Sequence, residues 1–360
     1  MSGGLSDEWC VPDRRELMAV IPAHCFEINE RVAFTRLGCL LLLTLGFGLA
    51  AHLAVPKEWA FALFWITYAA VNGTIANGLW VLAHECGHHA FSRRKRLETA
   101  VGFILHSALL VPYFTWRKSH AWHHARTNHL TEDETHVPPT IHSSNGRAWA
   151  RLQLLLGWAF GPLLIASYLL IGWILYATIG GISTPERGYT SHFWPFRTRL
   201  SPGRRKAIYS SGGIAFTIGL LAWWAWASRD GWLAPALIYG GPYLVVNAWV
   251  VMYTWLHHTD VDVPHFGAKD WTGMRGAFQT VDRCYGQLLD YLHCNIGSTH
   301  VVHHLFPRIP HYNAVQATRS IADAYPHLYR YDDTPVFCAI WRVATRCVVL
   351  KRVDGDTWYF

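Results

Sequence analysis

WAFALFWITYAAVNGTIANGLWVLAHECGHH, residues 59 to 89, decides how the rest of the chain is read. Trp59 to Ala83 contains no Asp, Glu, Lys or Arg and is long enough to cross a bilayer as a helix. It then runs without a break into His84, Glu85, His88 and His89. Ionisable side chains are costly at a membrane exit unless something engages them. His84 and His88 are one helical turn apart and share a face. The segment therefore reads as a spanning helix that delivers imidazoles at the membrane surface.

Working outward, Leu37 to Val55 precedes it across a turn at Pro56, and the two read as a helical hairpin. Ile208 to Ala227 and Leu233 to Leu256 repeat the pattern around Ser228, Arg229, Asp230 and Gly231. The expected fold is all-α and integral to the membrane. It has two transmembrane hairpins, four spans in all, carrying a cytosolic helical cap in one domain over 1–360. The expected parts are a cytosolic segment 1–36, the hairpin 37–83, a cytosolic region 84–207, the hairpin 208–256 and a cytosolic tail 257–360. The acids Asp7, Glu8, Asp13 and Glu16 at the N-terminus argue against a signal or transit peptide.

Two further apolar stretches, Val101 to Trp116 with Pro112 and Leu152 to Ile179 with Gly161 and Pro162, resist simple assignment. A fifth simple span at 152–179 would put the region 84–206 and the tail after His257 on opposite sides. If their histidines share one centre, that stretch must be interfacial, re-entrant or a broken hairpin, and the shorter one must lie in the interface. Arg93, Arg94, Lys95, Arg96, Arg117, Lys118, Arg204, Arg205 and Lys206 mark the histidine side as cytosolic. The opposite turns carry only Lys57, Glu58, Arg229 and Asp230.

Composition agrees. Of 360 residues 51% are apolar and only 15% charged, with 19 Trp, too apolar for an ordinary soluble domain. The net charge of +7 sits in loops beside the spans rather than in a basic stripe, which excludes nucleic acid as a partner. Eight cysteines without CxxC pairs indicate neither a disulfide framework nor a thiolate zinc site. The unusual count is 22 histidines.

Three clusters hold many of them: HECGHH at 84–89, HAWHH at 120–124 and HVVHH at 300–304. His120, His123 and His124 share a helix face, as do His300, His303 and His304. Imidazole suits zinc, copper, nickel or iron. Eight or more clustered histidines exceed what one four-coordinate zinc takes, so they point to two metals, and two irons can share the electrons that oxygen cleavage needs. His84 to His88 fits the HExxH of zinc proteases, yet such a site needs few further ligands. Carboxylate di-iron bundles need Glu residues on the spans, and these spans lack them. Glu85, Asp133, Asp282 and Asp290 are candidate partners for the outer ring nitrogens. His106, His129, His265, His293 and His311 are intermediate candidates. His24, His52, His142, His192 and His327 read as ordinary polar residues.

HECGHHAFS at 84–92, VGFILHSALLVPYFTWRKSHAWHH at 101–124, TVDRCYG at 280–286 and NIGSTHVVHHLFPRIPHYNA at 295–314 resemble the plant microsomal oleate desaturases and their methyl-end relatives. The likeness runs from IPAHCFE at 21–27 to the aromatic tail. It implies that His84, His88, His120, His123, His124, His300, His303 and His304 are metal ligands. It adds His89 in the first box and His258 in WLHHTDVDVPHF as further ligands, with His257 a neighbour. It implies two Fe ions, O2 as co-substrate and a phospholipid-bound acyl chain in the endoplasmic reticulum membrane, or the inner membrane of a bacterium. The chain has no GxGxxG and no haem segment, so electrons come from a separate donor, cytochrome b5 or, in a bacterium, ferredoxin. Whether the chain pairs with itself is left open. His89, Phe91 and the final WYF lean toward delta-12 action on oleate, while HTDVDVPHF and NHLTEDETHVP resemble omega-3 enzymes. Hydroxylase, acetylenase and conjugase outcomes share the scaffold, and an inactive membrane metal carrier is the reading from another class.

Overall fold

The computed structural model describes residues 11–135, 137–180, 190–194 and 201–360; Asp7, Glu8 and Cys10 lie outside it. A short helix α1 (Arg14–Val20), closed by an Asp13/Glu16 capping box, precedes the membrane-type helices α2 (Glu30–Ala54) and α3 (Ala62–His88). Next come α4 (Lys95–Ala108) and α5 (Tyr113–Arg126), bent 104° against each other at the Pro112 break. A 36-residue helical run follows, made of α6 (Ser144–Leu156), α7 (Phe160–Ser167) and α8 (Trp173–Ile179), with a left-handed Gly157 and a π turn at Tyr168–Gly172. The second hairpin is α9 (Arg204–Ala227), then α10 (Leu233–Pro235) and α11 (Gly241–His258), joined through a π turn. The rest is α12 (Gly273–Ala277), α13 (Gln287–Leu292), α14 (His300–Leu305), α15 (His311–Ala324) and α16 (Val336–Arg346).

The fold is mostly helical but not all-α. His265–Phe266, Lys351–Asp354 and Thr357–Tyr359 form a small antiparallel sheet, and Asp282–Arg283 pairs in parallel with Tyr331–Asp332. The second pairing links the segments before α14 and α16, and so ties both to the end of α11.

Among the described residues, five helical runs are long and apolar enough to cross a membrane. Leu42, Leu53, Leu63 and Trp226 are exposed on them, as lipid contact requires. α3 and α11 form the central pair. Gly73 permits their approach, since a Cβ there would come within 2.5 Å of Val245 and 2.6 Å of the Pro242 carbonyl. At one end the two hairpin turns meet through Lys57 and Asp230, 3.2 Å apart. At the other, α3 and α11 end in His88 and His258.

The fifth run, 144–179, has both ends against the histidine-bearing side. Near its start Gln153 donates to the Thr345 carbonyl at 2.7 Å, and Ile141 N donates to the Leu350 carbonyl at 2.9 Å. Near its end Tyr176 lies 4.6 Å, ring to ring, from His192, whose Nε2 is 2.9 Å from Ser119 on α5. Leu154, Leu155 and Trp158 on this run, with Phe337 on α16, are each more than four-fifths exposed.

Candidate metal centre

Four elements present the imidazoles. His84 and His88 close α3, one turn apart on one face. The bend after Pro112 aims α5 back toward that end, so its last turns bring His120, His123 and His124 to the same place. His258 is the last residue of α11, and α14 carries His300, His303 and His304. α14 is fixed by a buried carboxylate: Asp282 accepts from Val301 N at 2.8 Å and from the Tyr329 hydroxyl at 2.9 Å. Burial pushes Asp282 up to about 7.

Donor nitrogens of His84, His88, His120, His124 and His303 lie within 4.8 Å of one another, and those of His123, His258 and His304 form a second such group. His300 belongs with the second, its Nε2 standing 3.1 Å from that of His258 and 3.1 Å from that of His304. The first group is as tight, with Nε2 separations of 2.8 Å for His84 to His120, 3.1 Å for His120 to His124 and 3.3 Å for His84 to His88. The groups abut where the rings of His124 and His304 stack at 4.1 Å.

Nine of the ten expected ligands are thus together, and His89 is not. It sits just past α3 in the left-handed region, φ 63°, which turns its ring off the His84/His88 face. Both its nitrogens are engaged elsewhere: Nδ1 donates to the fully buried Glu98 at 2.6 Å, and Nε2 accepts from Arg117 at 2.6 Å. His257 lies beside the second group, its Nδ1 on the Val281 carbonyl.

Chemistry of the donor set fits metal ions. Burial first, then the neighbouring imidazoles, drives His120, His124, His300 and His304 well below the ordinary histidine value, so they are neutral and offer lone pairs. Lone-pair nitrogens about 3 Å apart are what two ligands about 2.1 Å from one ion and roughly at right angles produce. His303 Nε2 is buried without a hydrogen-bond partner among the described residues. Two of the outer nitrogens are held as metal-binding histidines require. His123 Nδ1 donates to the fully buried Asp133 at 2.6 Å, and His304 Nδ1 donates to the Thr127 hydroxyl at 3.1 Å.

Of the other candidate acids, Glu85 instead holds His311 through Nδ1 at 2.8 Å and backbone N at 2.6 Å, and Asp290 faces Ser298. His293 bonds Tyr253 and the Thr74 carbonyl. His192, expected to be an ordinary polar residue, is buried against Ser119, the neighbour of His120. The signal for it was absent because the contact spans 73 residues of sequence.

A cavity of about 380 Å³ lies between the run 144–179 and α11, walled by Trp149, Tyr168, Trp173, Tyr176, Val251 and Trp255. That volume is in the range of small-ligand sites. Its Tyr176 end is 3.5 Å from the Ser119 hydroxyl, one residue from His120.

Fold and site together define a helical membrane protein built around a buried, imidazole-lined centre. The chain belongs to the fatty acid desaturase family, whose model matches residues 57–335. It is 38% identical to a Delta(12)-fatty-acid desaturase of Vernicia fordii over 96% of this chain and 90% of that one. It is also 38% identical to an oleoyl-12-hydroxylase of Ricinus communis, covering 94% and 87%, and 36% identical to a bifunctional desaturase/conjugase of Vernicia fordii, covering 96% and 89%.

Proposed function

We propose that this enzyme desaturates the methyl-end half of an unsaturated, lipid-bound acyl chain, with oleate to linoleate, the delta-12 reaction, as its main activity. The observation that carries the reading is the convergence of nine imidazoles in two groups on a chain of this family. Two irons fit: His84, His88, His120, His124 and His303 would hold one, and His123, His258, His300 and His304 the other. When bound, they supply an oxidant derived from O2 that is strong enough for an unactivated methylene, where no side-chain acid or base could act.

The chain's own work is placement and exclusion. The apolar cavity beside Ser119 would hold the acyl chain and keep water from the reacting carbons. The aromatic walls contributed by Tyr168, Trp173 and Trp255 set its width. Equal identity to a desaturase and a hydroxylase means that overall likeness does not select the outcome. Desaturation is favoured as the outcome shared by most of the relatives described, with hydroxylation and omega-3 action the alternatives.

Two hairpins would return the chain to its starting side, giving four spans, with the run 144–179 lying along the interface because both its ends contact the histidine side. The Lys and Arg excess supports that side as cytosolic. A cytochrome b5-type donor would dock there and supply two electrons per turnover, the membrane being the endoplasmic reticulum.

Expression in yeast lacking polyunsaturated lipids, followed by gas chromatography, tests the reaction. Linoleate should appear from endogenous oleate. If added linoleate becomes alpha-linolenate while oleate is untouched, the activity is omega-3. Cysteine-accessibility labels near positions 140 and 330 should react from the same face, and labels on opposite faces would break the four-span arrangement.

A further inference from the structure

Behind the second imidazole group stands a file of aromatic side chains, buried except for the partly exposed Trp249, that the metal-binding and substrate-holding roles leave unused. The His257 ring is 4.5 Å from His300, Tyr285 is 5.7 Å from His257, Tyr253 is 4.7 Å from Tyr285, and Trp249 is 5.6 Å from Tyr253. Gly297 makes room for the two phenols, since a Cβ there would meet Tyr285 at 2.5 Å and Tyr253 at 3.0 Å.

Each phenol faces an imidazole whose tautomer is fixed from behind. His293 Nε2 lies 2.8 Å from the Thr74 carbonyl, an acceptor only, so Nε2 carries the proton. Its Nδ1 therefore offers a lone pair, and the Tyr253 hydroxyl donates to it at 2.6 Å. In the same way the Val281 carbonyl fixes the proton on His257 Nδ1, and the Tyr285 hydroxyl donates to His257 Nε2 at 3.2 Å. A phenol with a proton acceptor already hydrogen-bonded can lose its electron and proton together, so that the positive charge rests on the imidazole and not on the phenol. For an ordinary core tyrosine any carbonyl would serve as partner, and two adjacent Tyr–His pairs leading to one metal-type group are more than packing needs.

We infer that Tyr253, with Tyr285 as the intermediate step, is a redox-active residue that delivers electrons to the metal centre when oxygen is activated with no acyl chain in place. The inference rests on the oxidative function proposed above. In the step, Tyr253 would give one electron through Tyr285 and His257 toward the imidazole groups, where bound metal ions carrying an oxidising equivalent from O2 would accept it. The Tyr253 O–H bond breaks, and its proton passes to His293 Nδ1, leaving a neutral phenoxyl beside an imidazolium that still donates to Thr74. A membrane-soluble quinol returns one electron through Trp249, which is partly exposed and hydrogen-bonded to Thr74, and becomes a semiquinone by losing its own O–H proton to interfacial water, while the His293 proton goes back to the Tyr253 oxygen. A misfired oxidant is thereby drained before it attacks the ligand imidazoles.

The test uses the full-length, iron-loaded enzyme in lipid nanodiscs, from a preparation shown to convert oleate, so that loss of the function itself would be seen separately. Reduced enzyme without acyl substrate is mixed with oxygen and freeze-quenched for electron paramagnetic resonance. A narrow radical signal should form, sharpen when ring-deuterated tyrosine is incorporated, and fall several-fold in Tyr253→Phe. The initial oleate rate of Tyr253→Phe should match the parent, but the variant should inactivate after several-fold fewer turnovers, with more oxidised histidine by peptide mass spectrometry. His293→Gln, which keeps the space filled but removes the basic nitrogen, should weaken the signal likewise. An oleate-converting preparation that forms no radical, or one whose radical is equally strong in a Tyr253→Phe, Tyr285→Phe double variant, would overturn the proposal.

Discussion

The two imidazole groups differ in what stands behind them and in the space beside them. In the second, His123, His258, His300 and His304 are all buried, and two of them are braced through their outer nitrogens by Asp133 and the Thr127 hydroxyl. In the first, four of the five residues are only partly buried, and a cavity of about 20 Å³ separates His84, His88 and His303 from the Glu85–His311 pair. That is room for about one water molecule. The clamped set has four donors and none to spare. The looser set has five, with a water-sized cavity beside it. In the proposed assignment the same ligand type would serve as a rigid holder on one side and an adaptable one on the other.

Removing one donor from each group is the harshest way to break this comparison. His304→Ala should abolish desaturation and lower bound iron from about two to about one per chain by elemental analysis, because three imidazoles remain on that side. His303→Ala should also cripple the enzyme but keep most of its iron, since four donors remain. Membrane insertion should be unchanged in both, as neither alters a span. Equal iron loss would mean that the groups are not distinct. A smaller effect separates the braces: Asp133→Asn should weaken metal retention about 10–100-fold in a chelator titration, because the His123 ring loses its anionic anchor. Glu85→Gln reaches the first group only through His311 and should cost much less; a loss as large as that of Asp133→Asn would show that His311 acts on the metal directly.

The long apolar helices were legible in the sequence because twenty-odd apolar residues leave a local signal, and so were the histidine clusters, because i, i+3 and i, i+4 spacing is itself helical geometry. His258 was legible only through family resemblance, since a lone histidine after a span carries no pattern. What sequence could not show is set by partners far away. His89 looks like a continuation of its box, yet α3 ends there in a left-handed turn and the buried Glu98 claims its ring. The small sheet was missed because its strands are two to four residues long, shorter than any alternation can register. The ends of the helix starting at Glu30 and of the run 144–179 moved for a related reason: capping by Asn29 and Ser143, not hydropathy, sets where those helices begin.

The displaced histidine gives the next test. His89→Ala should leave iron content and oleate conversion within about a factor of a few of the parent, while the buried Glu98 loses a hydrogen-bonded partner at a cost of about 1–3 kcal/mol. Thermal inactivation at lower temperature with full iron would be the signature, and loss of iron would return His89 to the ligand set.

The smallest expected effect separates the cap from the centre. His192 has no place in any box, and sequence alone would let it be replaced freely, but its ring is 2% exposed, lies 4.6 Å from Tyr176 and has Nε2 2.9 Å from Ser119. Burial depresses its pKa to about 4, so it is neutral at physiological pH. The Ser119 hydroxyl donates to the Trp116 carbonyl at 2.9 Å and therefore accepts from the His192 Nε2–H. His192→Ala opens a small void and leaves that hydroxyl oxygen with only the long 3.5 Å contact from the Tyr176 hydroxyl, a loss of about 1–3 kcal/mol. Because Ser119 precedes His120 without being a donor itself, iron content should hold while the thermal midpoint drops by several degrees and oleate conversion falls only near that midpoint. His192→Asn, which can still donate from its amide, should recover part of the difference. If His192→Ala instead loses iron at low temperature, the run 144–179 is positioning His120, and the looser group depends on that brace as much as the clamped group depends on Asp133.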